Sequence, residues 1–443
     1  MPHPLVRRVV ACAAALPALL LTAAPAYTQM TPDPGPELDR RAAAVEAKVV
    51  AWRRDFHQHP ELSNREVRTA GIVAEHLRRL GLEVRTGVAH TGVVAVLRGA
   101  RPGPVVALRA DMDALPVTER VDVPFASKVR TRFNGQEVGV MHACGHDAHT
   151  AILMGVAEVL AGMRAELGGT VKFIFQPAEE GAPAGEEGGA ALMIREGVLR
   201  DPAPAAIFGL HVGVIPQLVG TVLYRPAGLM AASDWLRIVV RGRQTHGALP
   251  WAGVDPIVVG AQLVTALQTI ASRQVDLTTA PAVVTIGSFQ GGVRNNIIPD
   301  SVVMLGTVRS FDAAMQADIH RRIRRTAELT AQAAGASATV EITPMTPVTH
   351  NDPALTERML ATLRRVAGAE QVKLSPVTTG AEDFAFYQQQ VPGMFFFLGI
   401  VPPGQDLAGV APNHSPHFTL DEAALSVGVR ALAHLAVDYL AGR

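Results

Sequence analysis

Short runs of apolar residues alternate along most of the chain with segments whose apolar positions recur at helical spacing. Each run is bounded by glycine, proline or charged residues, which is typical of buried strands. The clearest runs lie at 93–97, 105–108, 171–175, 207–210 and 394–400. Buried strands that alternate with helices predict an α/β domain with a mixed central sheet flanked by helices.

The middle of the chain has a different pattern. Its predicted elements are a strand, a helix, two strands and a helix, at 234–241, 255–273, 282–289, 301–309 and 312–334. This order is typical of a separate, compact α+β unit. We therefore predict a catalytic domain of residues 38–228 and 336–443, with a smaller satellite domain of residues 229–335 inserted into it.

The N-terminal residues 1–26 predict an export signal. Two arginines precede the apolar run Val9–Leu21, and Ala24-Pro25-Ala26 supplies small residues for cleavage. The alternative is an uncleaved membrane anchor, which Pro17 inside the run disfavours. Cleavage would give an exported protein, periplasmic or secreted, with no membrane attachment.

Charge and cysteine usage narrow the class of function. Lys+Arg and Asp+Glu both number 40, so we expect no nucleic-acid partner. Of the two cysteines, Cys12 lies in the predicted signal, which leaves Cys144 as the single thiol of the mature chain. A free thiol in an oxidising compartment is a liability unless it is occupied. A metal ion is the simplest occupant, and Cys144 lies in the ligand-rich segment MHACGHDAH, residues 141–149.

Other polar clusters follow directly after predicted strands. They are Asp111 with Asp113, Glu179 with Glu180, and His211. In open α/β sheets ligands bind outside the carboxyl ends of the strands, so we expect these clusters to meet segment 141–149 there. In an extended segment, residues two positions apart such as Cys144 and His146 can face one ion. Thiolate and imidazole favour zinc, while carboxylates would accept manganese or cobalt.

The adjacent acids Glu179 and Glu180 point in different directions. One of them can bind metal while its neighbour acts as general base on a metal-activated water. An acid pair by itself is usually solvated, and we interpret Glu186-Glu187 in that way. His414, near the C-terminus, offers a ligand for a second metal ion.

Several motifs together resemble one known family. They are RRDFHQHPELS, ALRADMDALPV, MHACGHDAH, FIFQPAEEG, FGLHVG, THGALP, NNIIPD, GTVRSF and GAEDFAF, spread from about Arg53 to Phe418. This set resembles the amidohydrolase branch of the dimetal aminoacylase and carboxypeptidase family. That branch includes hippurate hydrolases, N-acyl-amino-acid amidohydrolases and auxin-conjugate hydrolases.

The resemblance implies a dinuclear site with two divalent ions per subunit, zinc or manganese, with cobalt or nickel as alternatives. The implied ligands are Cys144, His146, Glu180, His211 and His414. Glu179 would be the general base, and Asp113 would orient a metal ligand.

The resemblance also assigns a role to the satellite domain. It implies that this domain mediates a homodimer or higher homo-oligomer, or closes over the site as a lid. His246 would act in catalysis by holding the oxyanion, and Asn296 would bind the substrate. Arg309 is a further candidate for substrate binding, because a guanidinium group suits a carboxylate.

The predicted activity is hydrolysis of the amide bond of N-acyl amino acids or related small amides. An aminopeptidase or dipeptidase of the same family is the alternative enzyme, and a non-catalytic metal-binding or solute-binding protein is the alternative class. Glu179 favours an enzyme, because a binding protein needs no second acid beside a ligand. The loop GAPAGEEGG, residues 181–189, looks longer than in most relatives and bears on substrate preference.

Overall fold

The structure, a computed structural model, describes residues 33–443 together with Met1 and Pro4. The predicted signal peptide, apart from those two residues, lies outside the described residues. The helices are α1 Gly35–Gln58, α2 Val67–Arg79, α3 His146–Ala161, α4 Gly189–Arg195, α5 Pro256–Thr269, α6 Ala313–Ala333, α7 Pro353–Ala367, α8 Phe384–Gln388 and α9 Ala423–Leu440.

Each of the five predicted apolar runs coincides with a strand, and the run 394–400 extends two residues beyond the end of its strand. The strands are β1 Glu83–Val88, β2 Gly92–Arg98, β3 Arg101–Asp111, β4 Arg130–Phe133, β5 Gln136–Gly139, β6 Gly168–Gln176, β7 Ala206–Val212, β8 Val222–Tyr224, β9 Ala227–Met230, β10 Ala232–Arg241, β11 Thr245–His246, β12 Ala282–Gly291, β13 Ile297–Ile298, β14 Ser301–Ser310, β15 Ser337–Thr346, β16 Thr349–Asn351, β17 Val372–Leu374 and β18 Gly393–Leu398.

Eight strands form the large central sheet, in the order β1-β2-β6-β3-β7-β18-β8-β17. The neighbours β6, β3, β7 and β18 are parallel, whereas β2 pairs antiparallel with both β1 and β6. The sheet is therefore mixed, and helices flank it, which confirms the predicted fold class. Parallel alignment brings the carboxyl ends of β6, β3 and β7 to one edge, where the predicted polar clusters follow.

A helical layer covers one face of this sheet. Helix α3 is buried almost throughout, which its sequence anticipates because apolar residues occur on all sides of it. Helix α9 is long and apolar enough to cross a membrane, but 72% of it is buried inside the protein. It packs against α1, α3 and α7, so it is a core helix of the fold.

Four further strands form a separate antiparallel sheet, in the order β12-β14-β10-β15. Helices α5 and α6 pack against one face, over a core that includes Ile238 and Met304. Both helices begin where the sequence predicts, because the Asp255 carboxylate accepts from the backbone N–H of Ile257 at 2.8 Å and Asp312 accepts from that of Met315 at 2.7 Å.

The last strand of the small sheet corrects one predicted boundary. β15 pairs with β10 along its length, from Arg241–Ser337 to Ser233–Thr346. The predicted end of the satellite domain at 335 is therefore one strand too early. The signal was present, because Ala338, Val340 and Ile342 alternate with polar residues and pack against the core of the small sheet.

Candidate metal centre

The predicted polar clusters meet at the carboxyl edge of the large sheet. Asp111 ends β3, Glu179 and Glu180 follow β6, and His211 lies near the end of β7. Helix α3 begins at His146, which carries segment 141–149 to the same edge. Gly145 makes this approach possible, because its φ is +95° and a Cβ there would clash with Cγ2 of Val212.

Cys144 lies between two histidines. Its Sγ is 3.4 Å from Nε2 of His211 and 3.3 Å from Nε2 of His414. Nε2 of His414 is also 3.1 Å from Oε1 of Glu180. The thiol is buried, whereas the imidazole of His414 is 55% exposed and forms the solvent-facing side of these groups. Because an imidazole lies on each side of Sγ, this atom can serve as a ligand together with His211 and also together with His414.

His146 belongs both to a group of candidate ligands with Cys144 and His211 and to one with Glu179 and Glu180. Its Nδ1 lies 3.3 Å from Oδ1 of Asp113. Since a carboxylate accepts, Nδ1 carries a proton, and Nε2 keeps its lone pair when the ring is neutral. Nε2 lies 3.8 Å from Oε2 of Glu179 and 3.9 Å from Oε1 of Glu180, and it is buried with no hydrogen-bond partner among residues 33–443.

The pKa of His146 reports the negative surroundings. Burial lowers this pKa, but the carboxylates of Asp111 and Asp113 outweigh burial and raise it to about 10. Without a metal ion this imidazole therefore favours a second proton, on the Nε2 that faces the two glutamates. A divalent cation would take the place of that proton.

The tautomers of the neighbouring histidines separate ligands from supports. His211 donates Nδ1–H to the carbonyl oxygen of Val212 at 2.9 Å, which leaves Nε2 with a lone pair facing Cys144. His149 donates Nδ1–H to Asp111 at 2.6 Å and accepts the backbone N–H of Val212 on Nε2 at 2.9 Å. Both nitrogens of His149 are therefore occupied, so it supports the site without being a ligand.

These residues fit divalent metal ions. Oriented imidazoles, a buried thiol and carboxylates lie in overlapping groups whose ligand atoms are within 4.8 Å of one another. A thiolate with imidazoles suits zinc-like ions, and carboxylates suit harder ions as well. The buried, unpartnered Nε2 of His146 is the kind of orphaned acceptor that a bound metal satisfies.

Asp113 fixes the loop that carries the two glutamates. Its carboxylate accepts the backbone N–H groups of Glu179 and Glu180, each at 3.0 Å, and the hydroxyl of Ser63 at 2.8 Å. The same carboxylate orients His146. Asp113 therefore sets the position of the candidate ligands and of the candidate base at once.

Glu179 has the environment of a base. Its Oε1 accepts the backbone N–H of Asp383 at 3.4 Å. Burial raises the pKa of Glu179 well above its usual range, and the carboxylates of Glu382 and Glu180 raise it further. A carboxylate with a raised pKa holds a proton more readily than a solvated one, which suits transfer to and from a reacting group.

Sequence reasoning missed a buried cation beneath the site. The Arg109 guanidinium is fully buried and contacts three carboxylates: Asp111 at 2.5 Å, Asp383 at 2.8 Å and Glu382 at 3.0 Å. An arginine inside the apolar strand β3 was a visible signal. Glu382 and Asp383 lie in the motif GAEDFAF, which entered only as part of the resemblance.

Three predicted residues lie elsewhere. His246 and Asn296 are exposed near the paired strands β11 and β13, where Gly247 N–H donates to the carbonyl oxygen of Asn296 at 2.8 Å. Arg309 lies on β14, where burial lowers its pKa. Among residues 33–443 no hydrogen bond or ion pair joins these three to the metal centre, so their roles stay predictions.

The acid pair Glu186-Glu187 differs from Glu179-Glu180 in its surroundings. Glu186 pairs with Arg65 at 2.5 Å, and Glu187 pairs with Arg195 at 2.5 Å, both near the surface. Their pattern in the sequence is similar, but these acids face arginines instead of buried histidines.

Comparisons with known proteins match most of the chain. The sequence model of peptidase family M20/M25/M40 matches residues 107–438. The chain is 40% identical to thermostable carboxypeptidase 2 of Saccharolobus solfataricus over 89% of this chain and 96% of that protein. It is 39% identical to an N-acetylcysteine deacetylase of Bacillus subtilis, over 90% of this chain and 98% of the other.

A solved structure shows the same fold. It is a dinuclear metal-binding peptidase of the M20 family from Bacillus subtilis, 38% identical in sequence. The TM-score is 0.75, and the match covers 90% of this chain and 99% of that one.

Proposed function

Since the chain belongs to peptidase family M20/M25/M40, we propose that this hydrolase cleaves the amide bond of N-acyl amino acids. Family membership and the similarity to a deacetylase confirm the resemblance that the motifs suggested. The enzyme is a metal-dependent amidohydrolase. The substrate class is our proposal, supported by the name of the deacetylase, which indicates an N-acetylated amino acid as its substrate.

One observation carries the proposal. A buried acid with a raised pKa, Glu179, lies 3.8 Å from the unpartnered Nε2 of His146. A protein that only bound metal would have no use for an acid held there by Asp113 and by the backbone of Asp383. This arrangement is what hydrolysis by an activated water requires.

The chemistry divides between the metal ions and the chain. Bound divalent ions would lower the pKa of a water molecule and polarise the substrate carbonyl. Glu179 takes the proton from the attacking water and returns it to the leaving amine. Asp113 keeps Glu179 and Glu180 in place through their backbone N–H groups, so the base needs no rearrangement between the two transfers.

We propose that Cys144, His146, Glu180, His211 and His414 hold two divalent ions per subunit. The thiolate and imidazoles favour zinc, and the carboxylate allows manganese, cobalt or nickel. His246, Asn296 and Arg309 would bind the substrate's oxyanion or carboxylate after domain closure or across a subunit interface. No contact in the described chain tests this role.

Two wider proposals concern export of the protein and contact with a second subunit. The basic start and apolar run of residues 1–26 support export to the periplasm or the medium. The face of the small sheet away from α5 and α6 exposes Trp235 and Leu305, at 61% and 44%. Exposed apolar residues of this size support contact with a second subunit.

Hydrolysis by the purified protein tests the proposal. Chelation should abolish hydrolysis of N-acetyl and N-benzoyl amino acids, and zinc or manganese should restore it. Unblocked dipeptides measured in parallel should be poor substrates. A protein that cleaves dipeptides and leaves N-acyl amino acids intact would be the aminopeptidase or dipeptidase. One that binds metal and cleaves neither would be a binding protein.

A further inference from the structure

A groove of about 480 Å³ opens beside the metal centre. Three segments bound it: residues 60–65, the loop after β3 at 114–116, and the hairpin formed by β4 and β5. Six residues supply its apolar surface: Leu62, Leu115, Pro116, Val129, Phe133 and Pro183. Nothing in the catalytic chemistry described above uses this space.

The inner end of the groove is the metal centre itself. Glu180 and Ser63 line the groove. Oε1 of Glu180 is 3.1 Å from Nε2 of His414, and the Ser63 hydroxyl donates to Asp113 at 2.8 Å. A substrate whose amide bond lay at the metal centre could therefore extend one substituent along the groove.

The walls are fixed by backbone hydrogen bonds. Ala114 N–H donates to the carbonyl oxygen of Glu61 at 2.8 Å, and Leu115 and Met141 exchange two bonds of 3.0 Å. The hairpin turns at Asn134 and Gly135, whose φ values of +49° and +80° are those of a tight two-residue turn. The groove is thus formed before any substrate arrives, which lowers the entropic cost of binding.

The lining of the groove determines which substituent fits, and the larger part of that lining is apolar. Three arginines line the groove: Arg65 pairs with Glu186 at 2.5 Å, Arg130 pairs with Glu137 at 2.6 Å, and Arg132 is exposed on the hairpin opposite Glu137. An uncharged, apolar substituent suits the remaining surface, and on an N-acyl amino acid that substituent is the acyl chain.

We propose that this groove is the acyl-binding subsite and that the β4–β5 hairpin, through Phe133, sets a preference for medium-chain aliphatic or aromatic acyl groups over acetyl. This inference rests on the proposed function. The groove's volume lies in the range of about 300–1,000 Å³ that is typical of small-molecule pockets, and an acetyl group would leave most of it empty. Gly181 and Pro183 also line it, so loop 181–189 contributes to the rim as its length suggested.

The test compares two substrate series in the metal-loaded enzyme. One series varies the acyl group on glycine from acetyl to decanoyl and benzoyl, and the other varies the amino acid with acetyl fixed. We expect kcat/KM to rise by up to about fourfold per methylene over the first several carbons of the acyl series, the ratio that burial of one CH₂ supplies.

Variants locate the effect. Phe133→Ala should lower the ratio of decanoyl to acetyl kcat/KM at least about tenfold, with Leu62→Ala on the opposite wall acting in the same direction. Gln136→Ala is the matched control, since Gln136 is exposed on the same hairpin and does not line the groove. Thermal unfolding of each variant shows that the fold is retained.

The outcomes separate the two claims. A wild-type enzyme that hydrolyses no N-acyl amino acid would overturn the proposed function together with this inference. Hydrolysis that is insensitive to acyl length, or a decanoyl-to-acetyl ratio unchanged in Phe133→Ala and Leu62→Ala, would overturn the subsite alone. The subsite assignment would also be overturned if the amino-acid series responded to these variants and the acyl series did not.

Discussion

The buried carboxylate of Glu66 accepts a hydrogen bond of 2.9 Å from the backbone N–H of Ala178. Ala178 has a φ of +53°, in the left-handed region that non-glycine residues rarely adopt, and it directly precedes Glu179. The same carboxylate accepts from Asn64 N–H at 3.0 Å and from the Thr91 hydroxyl at 2.5 Å. Glu66 thus supports an unfavourable backbone conformation that sets the direction of the candidate base.

Replacement of Glu66 tests this support. Glu66→Ala leaves two buried backbone donors and the partly buried Thr91 hydroxyl without an acceptor, so we expect the free energy of unfolding to fall by about 3 kcal/mol or more. We also expect kcat to fall roughly tenfold to hundredfold, because Glu179 loses its fixed position. Urea unfolding and steady-state kinetics measure both. Glu66→Gln keeps an acceptor for Ala178 and is the control that should retain most of the activity.

Glu66 also predicts a pH dependence of stability. Burial, and then the Asp113 carboxylate, raise the pKa of Glu66 from 4.5 to about 7. Between these values the folded protein holds a proton that the unfolded chain releases, so this group's contribution to stability falls as pH rises through that window. At about 1.4 kcal/mol per pKa unit, the full change is about 3 kcal/mol.

The comparison of wild type with Glu66→Gln isolates this group. The variant cannot titrate at position 66, so its stability relative to wild type should rise by up to about 3 kcal/mol between about pH 4.5 and about pH 8. Urea unfolding across this range measures the difference. A difference that stays constant with pH would show that the carboxyl group titrates normally.

Metal content distinguishes His211 from His149. His211 presents a free Nε2 to Cys144, whereas both nitrogens of His149 are occupied by Asp111 and by the backbone of Val212. We expect His211→Asn to lose metal, measured by elemental analysis after dialysis. His149→Gln should keep its metal and lose stability instead. Equal metal loss in the two variants would contradict the assignment of His149 as a support.

Arg109 predicts a large effect on stability from a change that keeps the charge. Its guanidinium bridges Asp111, Glu382 and Asp383 and also donates to Gln176 at 2.9 Å. A lysine has one ammonium group and cannot reach these partners together. We expect Arg109→Lys to lower the free energy of unfolding by about 3 kcal/mol or more. Arg98→Lys, at an exposed pair with Glu83, is the control and should change it little.

Much of the fold could be predicted from the chain. The apolar runs fall in strands of the large sheet, and Asp255 and Asp312 cap their helices as their position before Pro256 and Ala313 indicates. β15 was missed because the prediction ended at Gly335, where the helix stops. The strand that follows does alternate apolar and polar residues, but the sheet to which it belongs is set by pairing with β10, about a hundred residues earlier.

The sequence predicts those site residues that directly follow strands. It does not predict residues that hold the site in place through tertiary contacts. Glu179, Glu180 and His211 are visible because parallel strands bring their ends together. Glu66 is an acid in a polar stretch before α2, and nothing local shows that it is buried against Ala178. The sequence also cannot show that both nitrogens of His149 are occupied, because tautomers depend on tertiary partners.

The most direct test of the account is Glu179→Gln, with metal content and hydrolysis of an N-acyl amino acid measured on the same preparation. Glu187→Gln, an exposed acid on the following loop, is the matched control. We predict that Glu179→Gln keeps its metal and loses activity about hundredfold or more, the contribution typical of a general base, while Glu187→Gln resembles wild type. Unchanged turnover in Glu179→Gln with full metal content would contradict the account.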